Sequence, residues 1–459
     1  MTVVAGLILF ALLLALLYPG MLNMDSAGML EQAMKGQFND WHSPAVSLLW
    51  RGLNHLYPGP ASLLALGLGL YTAGAGWFAV RAAKGPIAGI VVLLFLCLWP
   101  PLLNDLSLVG KDQAFIACLV PFIALVWQAK STGRLTSPML ALLAALVFAA
   151  CAVRRDTPVC LIPALALLYR LPAGNRAKGF GWGMAGALAV LSVVAGFVLA
   201  GAFDRHVARA YRMFPLQTTL VHDLAGISAR TDLYLMPSYV DPAFDLTAIK
   251  ERYTPVSGDP VLFDLNHPIV KIVADKPSVR DLERTWLSAV LRHPRAYLLH
   301  RLAAFSELLG IDDPAEYQLY QANTDAGAAK WHALPPSMHV ENPDNAVLAL
   351  YRQSIMPVLL PTPVFRGYAY DILLLVLMGL ALARRRGAPD AVILALGAGA
   401  LLHQAALFLA SPAALFRYLY PSVLLVVAMT VLTVTGLRIV PGRGSRFRLT
   451  FSQPNQTKA

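Results

Sequence analysis

The chain has 459 residues, of which 57% are hydrophobic and 14% are charged. Together with a mean hydropathy of +0.58, this composition excludes an ordinary soluble domain and indicates a membrane protein. The formal net charge is +11, and many basic residues lie in short loops between apolar stretches, which favours a topological signal over nucleic-acid binding.

Ten apolar stretches follow one another along the chain, and a helix of about 20 apolar residues crosses a bilayer core of about 30 Å. We therefore predict an α-helical polytopic membrane protein with about ten transmembrane helices. The predicted spans are residues 3–21, 61–80, 86–103, 114–127, 138–153, 158–169, 181–203, 368–383, 391–410 and 418–440.

The short basic loops predict the orientation of the chain. With ten spans these loops fall on one face, and loops rich in Lys and Arg remain in the cytoplasm. Both termini are then cytoplasmic, and the remaining loops lie on the outer face. The family resemblance described below implies that the membrane is a bacterial inner membrane, which would make this outer face periplasmic. The loops that set this orientation contain Arg81, Lys84, Lys130, Arg134, Arg170, Arg176, Lys178, Arg384, Arg385 and Arg386.

The chain is expected to contain one inserted domain, mainly helical and periplasmic. Helices are predicted over residues 204–213, 216–227, 278–292 and 295–309, with Ser278 capping the third and Gly310 ending the fourth. The predicted parts are an N-terminal membrane module (1–203), the periplasmic domain (204–356), a C-terminal membrane module (357–440) and a basic cytoplasmic tail (441–459).

The loop after the first span carries the most informative residues, beginning with Asp25. A carboxylate at the membrane surface needs a partner or a purpose, and it can take the proton of an attacking hydroxyl or amine. Asp25 also has the position of a helix N-cap, so both interpretations stay open. Asp40 and His42 can orient an acceptor or a phosphate, whereas Trp41 between them is also typical of an interfacial anchor.

Lys111 and Asp112 follow the third predicted span on the same outer face. They can hold a phosphate and position a base, or they can form a plain ion pair. Arg154 and Arg155 also lie outside, against the positive-inside bias, and arginine binds phosphate with a rigid fork. The alternative is pairing of these arginines with Asp156 or with lipid headgroups.

Arg417 and Tyr418 open the last predicted span from the outside. The arginine can clamp a phosphate leaving group, whereas tyrosines alone at this depth are typical of an aromatic belt. Arg301, in the inserted domain, can point towards the membrane surface, or it can be a structural element of the domain.

Several classes of chemistry have no motif in this sequence. There is no Walker loop, no GxGxxG that opens a helix after a strand, no HExxH and no Cys/His zinc spacing. The four cysteines lie in apolar stretches and predict no disulfide framework. These features argue against a nucleotide-driven pump and against nucleotide-sugar chemistry on this chain.

The arrangement of motifs resembles the protein O-mannosyltransferase-like bacterial branch of the GT-C membrane glycosyltransferases. In that family an acidic residue begins an interfacial helix after the first span, as Asp25 does here, and a turn like His42-Ser43-Pro44 follows. An acidic residue before the fourth span matches Asp112, and an Arg-Tyr-x-x-Pro pattern matches residues 417–421. The sequence departs from the family where an Asp-Glu pair is replaced by Asp25-Ser26.

The resemblance implies an inverting transfer of a sugar from a polyprenyl-phosphate donor to a periplasmic acceptor. The acceptor class stays open between a glycolipid, an envelope polysaccharide and a protein such as a pilin, and a divalent cation stays open as cofactor. The catalytic residues implied are Asp25, as the base, and Asp112. The substrate-binding residues are Asp40, His42, Lys111, Arg154, Arg155, Arg301, Arg417 and Tyr418, of which Lys111, Arg154 or Arg417 would hold the phosphate.

Two other functions are compatible with this sequence. A transporter or flippase for a lipid-linked sugar would share the membrane helices and the arginines, but it would need no carboxylate at the acceptor, and no repeated pair of broken spans is visible. A non-catalytic assembly protein would keep its function after Asp25→Asn.

Overall fold

The computed structural model describes residues 1–173, 178–241, 244–263, 270–311, 332–338, 340, 350–384, 387–440 and 448–451. This part of the chain is helical apart from one short hairpin at its C-terminal end. Within it, six helices are long and apolar enough to cross a membrane. They are Pro60–Ala82, Lys111–Thr132, Trp182–His206, Gly367–Arg384, Ala388–Ala410 and Phe416–Thr435.

We number the helices in chain order. Those before the inserted region are α1 (Thr2–Leu17), α2 (Met24–Lys35), α3 (Pro44–Asn54), α4 (Pro60–Ala82), α5 (Pro86–Leu98), α6 (Pro100–Ser107), α7 (Lys111–Thr132), α8 (Ser137–Val153), α9 (Ile162–Tyr169) and α10 (Trp182–His206). The inserted region contains α11 (Gln217–Thr231), α12 (Leu246–Arg252), α13 (Asp259–Leu262), α14 (Lys276–Arg292) and α15 (Pro294–Leu309). After it come α16 (Met356–Leu359), α17 (Gly367–Arg384), α18 (Ala388–Ala410) and α19 (Tyr420–Thr435).

Shorter elements join these helices. The two strands β1 (Leu437–Val440) and β2 (Arg448–Phe451) pair in antiparallel fashion. The 3-10 turns are Pro158–Leu161, Pro336–Met338, Pro363–Phe365 and Phe416–Leu419, and a π-helical turn covers Tyr351–Ile355.

All ten predicted spans fall on helices, but they differ in length and continuity. The third is broken, because α5 and α6 meet at an angle of 59° where two prolines, Pro100 and Pro101, remove backbone donors. The first, fifth and sixth predicted spans are apolar helical segments of only 10–17 residues. The tenth predicted span, residues 418–440, is wrong at its C-terminal end, since α19 stops at Thr435 and residues 437–440 form β1. Residues 441–447 and 452–459 of the predicted tail lie outside the described residues.

Small residues allow some of the apolar helices to approach neighbouring segments of the chain closely. A methyl group at Gly74 of α4 would lie 2.7 Å from the Cδ atom of Pro121 in α7. A methyl at Gly399 of α18 would lie 2.3 Å from the carbonyl oxygen of Cys160. Close backbone contact of this kind replaces the hydrophobic effect as the source of helix association in a bilayer.

The inserted region has its own apolar core, formed by α11 to α14 around Leu224, Val261 and Leu282. The predicted helices over residues 216–227 and 295–309 are confirmed as α11 and α15, and α15 ends at Gly310 with φ +69°.

Two predictions for the inserted region are wrong. No helix covers residues 204–213, because α10 continues only to His206 and Arg209 then takes φ +52°. Ser278 does not cap α14, because the helix begins earlier and Asp275 accepts the hydrogen bond from the Ser278 amide at 2.9 Å.

Candidate functional site

Asp25 is the second residue of α2, and its side chain is free of any capping role. The cap is Asn23, whose Oδ1 accepts a hydrogen bond from the amide of Ser26 at 2.9 Å. The N-cap interpretation of Asp25 is therefore wrong. The carboxylate instead projects from the first turn of the helix with 25% of its side chain exposed.

Two cations from distant parts of the chain share one oxygen of Asp25. Its Oδ2 lies 3.0 Å from Nζ of Lys111, the first residue of α7, and 3.1 Å from Nη2 of Arg417, in the 3-10 turn before α19. The packing of Gly110 explains the approach of Lys111. A methyl group there would lie 2.9 Å from Oγ of Ser26, so α2 rests directly on the turn that begins α7.

A second, deeper set of ion pairs continues from Arg417. Its Nη1 lies 3.6 Å from Oδ2 of Asp112, whose Oδ1 accepts a hydrogen bond from Nη1 of Arg154 at 2.5 Å. Arg154 also forms a two-pronged pair with Asp156, at 3.1 Å and 2.6 Å. The side chains of Asp112 and Arg154 are only 4% and 3% exposed. We call these six residues, Lys111, Asp25, Arg417, Asp112, Arg154 and Asp156, the ion-pair cluster.

Tyr418 lies between the two arginines of the ion-pair cluster. Its ring centroid is 5.3 Å from Cζ of Arg417 and 5.6 Å from Cζ of Arg154. Both guanidinium groups are within reach of a cation–π contact with this ring. Tyr418 thus contacts both arginines of the site, which a tyrosine that served only as part of an aromatic belt would not need to do.

The cluster is balanced in charge, with three cations and three carboxylates, yet it leaves polar atoms unused. In the described part of the chain, Nε and Nη1 of Arg417 donate no hydrogen bond. Both carboxylate oxygens of Asp105, a fully buried residue of α6, also lack a hydrogen-bond partner there. Buried donors and acceptors without partners are costly and mark places where a ligand or water can bind.

The protonation states at the mouth of the site follow from burial and neighbouring charge. Burial acts to raise the pKa of the Asp25 carboxyl, but the charges of Lys111 and Arg417 outweigh it and hold that pKa well below its ordinary range. Burial lowers the pKa of His42 to about 3, so this imidazole is neutral at physiological pH.

Two histidines converge on α2 one turn after Asp25. A methyl group at Gly28 would lie 3.4 Å from Nε2 of His42 and 3.5 Å from Nε2 of His332. Nδ1 of His332 is 2.5 Å from a carboxylate oxygen of Glu31. No sequence pattern pointed to His332, because it lies in a loop far along the chain, outside any motif.

Part of the inserted region covers the ion-pair cluster. The ring of Phe263, just after α13, packs edge-on against Trp41 with centroids 6.1 Å apart. The amide of Ala414, three residues before Arg417, donates a hydrogen bond to the carbonyl of Val256 at 2.6 Å. Asp259 of α13 lies close enough to Asp25 and Arg417 for their charges to act on it, although burial is the main cause that raises its pKa.

Besides His42 and Tyr418, described above, three predicted substrate-binding residues lie outside the ion-pair cluster: Asp40, Arg155 and Arg301. Oδ1 of Asp40 accepts a hydrogen bond from the amide of Met213 at 2.6 Å, which ties the first loop to the inserted region. Arg155 is paired with Asp204. Both residues therefore have protein partners of their own in this structure, apart from the ion-pair cluster.

Arg301, the third, belongs to a separate buried network in the inserted region. Its Nε and Nη2 contact the two oxygens of Asp223 at 2.7 Å and 2.8 Å, and its Nη1 donates to the carbonyl of Ser411 at 2.8 Å. His300 and Trp286 also contact Asp223. This network fastens α15 to the end of α18, which supports the structural interpretation of Arg301.

An apolar groove runs between α15 and α18, with a volume of about 540 Å³. No residue of the ion-pair cluster lines it. Its walls are Leu302, Phe305, Leu401, Gln404, Ala405, Phe408 and Leu409. Several of these side chains belong to α18, which is long and apolar enough to cross a membrane, and an apolar surface there suits contact with lipid chains.

The fold and the site together define a class of protein: a helical chain with helices long and apolar enough to cross a membrane and a cluster of ion pairs near the ends of some of them. Among the described residues, no group of three or more His, Cys, Asp or Glu side chains is arranged to hold a metal ion. Comparison with protein-family models, with curated proteins and with solved structures found no match to this chain.

Proposed function

We propose that the chain is an inverting glycosyltransferase that moves a sugar from a polyprenyl-phosphate donor to an acceptor on the periplasmic face of the inner membrane. The proposal depends above all on one observation. Lys111 and Arg417 meet within 3.1 Å of a single oxygen of Asp25, whose side chain is 25% exposed. An arrangement of two cations with a displaceable carboxylate is suited to a phosphate group.

The donor phosphate would take the place of the Asp25 oxygen between Lys111 and Arg417. The Nε–H group of Arg417, which donates no hydrogen bond in the described part of the chain, supplies a further donor for it. As the bond between the phosphate and the anomeric carbon breaks, negative charge grows on the phosphate, and fixed cations at that point stabilise the transition state.

Asp25, released from its two cations, then accepts the proton of the attacking acceptor. With Lys111 and Arg417 engaged by phosphate, the cause of its low pKa is weakened, and the carboxylate becomes a better base. Attack on the face opposite to the phosphate inverts the anomeric configuration. Asp112, buried between two arginines, acts as a positioning residue that keeps Arg417 aligned.

The test is transfer of a labelled sugar from synthetic polyprenyl-phosphate donors by the purified protein in lipid nanodiscs. We expect Asp25→Asn to lower kcat by about 100-fold or more, because it removes the general base. A matched control is Asp232→Asn, since Asp232 forms an exposed ion pair with Lys250 and its loss should leave the rate unchanged.

Two outcomes would count against the proposal. Full activity of Asp25→Asn would remove the base assignment. Absence of transfer with every donor, combined with movement of a lipid-linked sugar across proteoliposome membranes, would replace the transferase with the transporter alternative.

A further inference from the structure

Along one side of α2, three residues follow at successive turns: Asp25, Gly28 and Glu31. Gly28 has no side chain, and the Nε2 atoms of His42 and His332 lie within 3.5 Å of the position that its Cβ would take. Glu31 holds His332 from the other side through Nδ1, at 2.5 Å. The imidazoles thus lie against α2 at Gly28, between the turns of the helix that carry Asp25 and Glu31.

The contact with Glu31 determines the tautomer of His332. Burial acts to raise the pKa of Glu31, but hydrogen bonds from Lys35 and His332 outweigh it and lower that pKa, so Glu31 is an ionised acceptor. The hydrogen bond therefore requires Nδ1 of His332 to carry the proton. In the neutral ring, Nε2 then has a free lone pair, and this nitrogen lies 3.5 Å from the position that a Cβ on Gly28 would take.

A carboxylate that holds one nitrogen of an imidazole while the other faces a reaction site is a proton-accepting arrangement. The side chains of His332 and Glu31 are 18% and 26% exposed, so a proton that reaches this pair can pass to solvent. Asp25 is less well placed to release a proton to solvent, since its Oδ2 atom lies against Lys111 and Arg417 in the resting site.

We propose that the Glu31–His332 pair is the proton outlet of the site, an inference that rests on the proposed function. As the acceptor oxygen bonds to the anomeric carbon and the phosphate leaves with the electrons of the broken bond, the acceptor proton passes to Asp25. It then moves past Gly28 and His42 to Nε2 of His332, which becomes an imidazolium stabilised by Glu31. Loss of this proton to solvent restores the starting state.

The test is chemical rescue of a histidine variant in the same transfer assay. We expect His332→Gln to lower kcat on the order of 10-fold to 100-fold and to leave the affinity for the donor unchanged. Added imidazole should restore most of the lost rate, because a small diffusible base can carry the proton instead. His206→Gln, at an exposed histidine at the end of α10, should show neither effect.

Glu31→Gln provides a second variant in case His332→Gln does not fold. It keeps the ring but removes the charge that stabilises the imidazolium, so we expect a several-fold loss that imidazole also restores. Unchanged kcat in these variants, or a loss that imidazole does not restore, would overturn the proton outlet while leaving transfer by the wild-type protein intact. Absence of transfer by the wild type would instead reject the proposed function itself.

Discussion

At the scale of single residues, the central feature is that Asp25 and an incoming anion compete for the same cations. Lys111 and Arg417 both contact Oδ2 of Asp25, so a phosphate can bind them fully only by displacing it. In the proposed mechanism the resting ion pairs therefore oppose donor binding, while the carboxylate that they hold serves as the base.

This competition predicts that Asp25→Asn binds the donor phosphate more tightly although it transfers sugar much more slowly. A neutral amide competes poorly for Lys111 and Arg417. We therefore expect Kd for a sugar-free polyprenyl phosphate to fall about tenfold, which makes the binding free energy more favourable by about 1.4 kcal/mol. Equilibrium titration in nanodiscs measures the change, with Asp232→Asn as control. Weaker binding by Asp25→Asn would mean that the carboxylate holds the cations in place for the phosphate instead of competing with it.

A second residue, His222 of α11, predicts how stability depends on pH. Burial lowers its pKa in the folded protein to about 3, compared with about 6.5 in an unfolded chain. Below pH 6.5 the unfolded state therefore binds more protons than the folded state, and stability falls as the pH drops towards 3.

We expect His222→Gln to flatten this acid dependence, because glutamine does not titrate and its amide can still donate to the carbonyl of Thr254, which now lies 2.9 Å from the ring. Thermal unfolding midpoints measured at several pH values between about 7 and 4 test the prediction. If the unfolding midpoint of His222→Gln falls with pH as steeply as that of the wild type, other titratable groups cause the acid sensitivity.

At the scale of elements, the position of α2 depends on glycine rather than on charge. Gly110 has φ +153°, and a methyl group there would lie 2.9 Å from Oγ of Ser26 and 3.0 Å from Cε of Met29. The next residue is Lys111. The distance between Lys111 and Asp25 is thus set by backbone packing one residue away from the charged group.

Gly110→Ala should therefore weaken donor binding without changing any charged residue. Gly133, at the other end of α7, is the matched control, since it also has positive φ (+72°) but no atom lies within 4 Å of the position that a Cβ would take there. Both substitutions should lower stability by about 1 kcal/mol through backbone strain. We expect only Gly110→Ala to raise Kd for polyprenyl phosphate, and equal Kd values for the two variants would contradict this role of the α2 contact.

At the scale of the whole molecule, hydropathy was enough to locate the apolar helices. It could not show which ends of these helices meet in the folded protein. The sequence singled out Asp25, Lys111 and Arg417 as outer-loop residues. Their meeting on one oxygen depends on packing between segments that lie up to 392 residues apart, and no local periodicity encodes such a contact.

The same limit explains why sequence reasoning left Arg301 with two interpretations and missed His332. The sequence could not show that a buried aspartate from α11 contacts Arg301. His332 lies in a loop without helical or strand pattern, and only the tertiary structure brings it to α2. A sequence shows which residues can take part in chemistry, whereas the fold determines which other residues they contact.

Orientation in the membrane remains a prediction of the positive-inside pattern, and labelling of single cysteines tests it. Arg155, beside the ion-pair cluster, and Arg134, in the basic loop between α7 and α8, are both exposed. Three of the four native cysteines are buried and Cys118 is half-buried, so background labelling should be low.

In spheroplasts, a membrane-impermeant thiol reagent should label Arg155→Cys directly and Arg134→Cys only after permeabilisation. This outcome follows because basic loops are retained in the cytoplasm, which leaves Arg155 and the neighbouring Lys111, Asp25 and Arg417 on the side where a polyprenyl-linked sugar is presented. The reverse pattern would put the ion-pair cluster in the cytoplasm, and a periplasmic transferase would then be untenable even if the purified protein transferred sugar in nanodiscs.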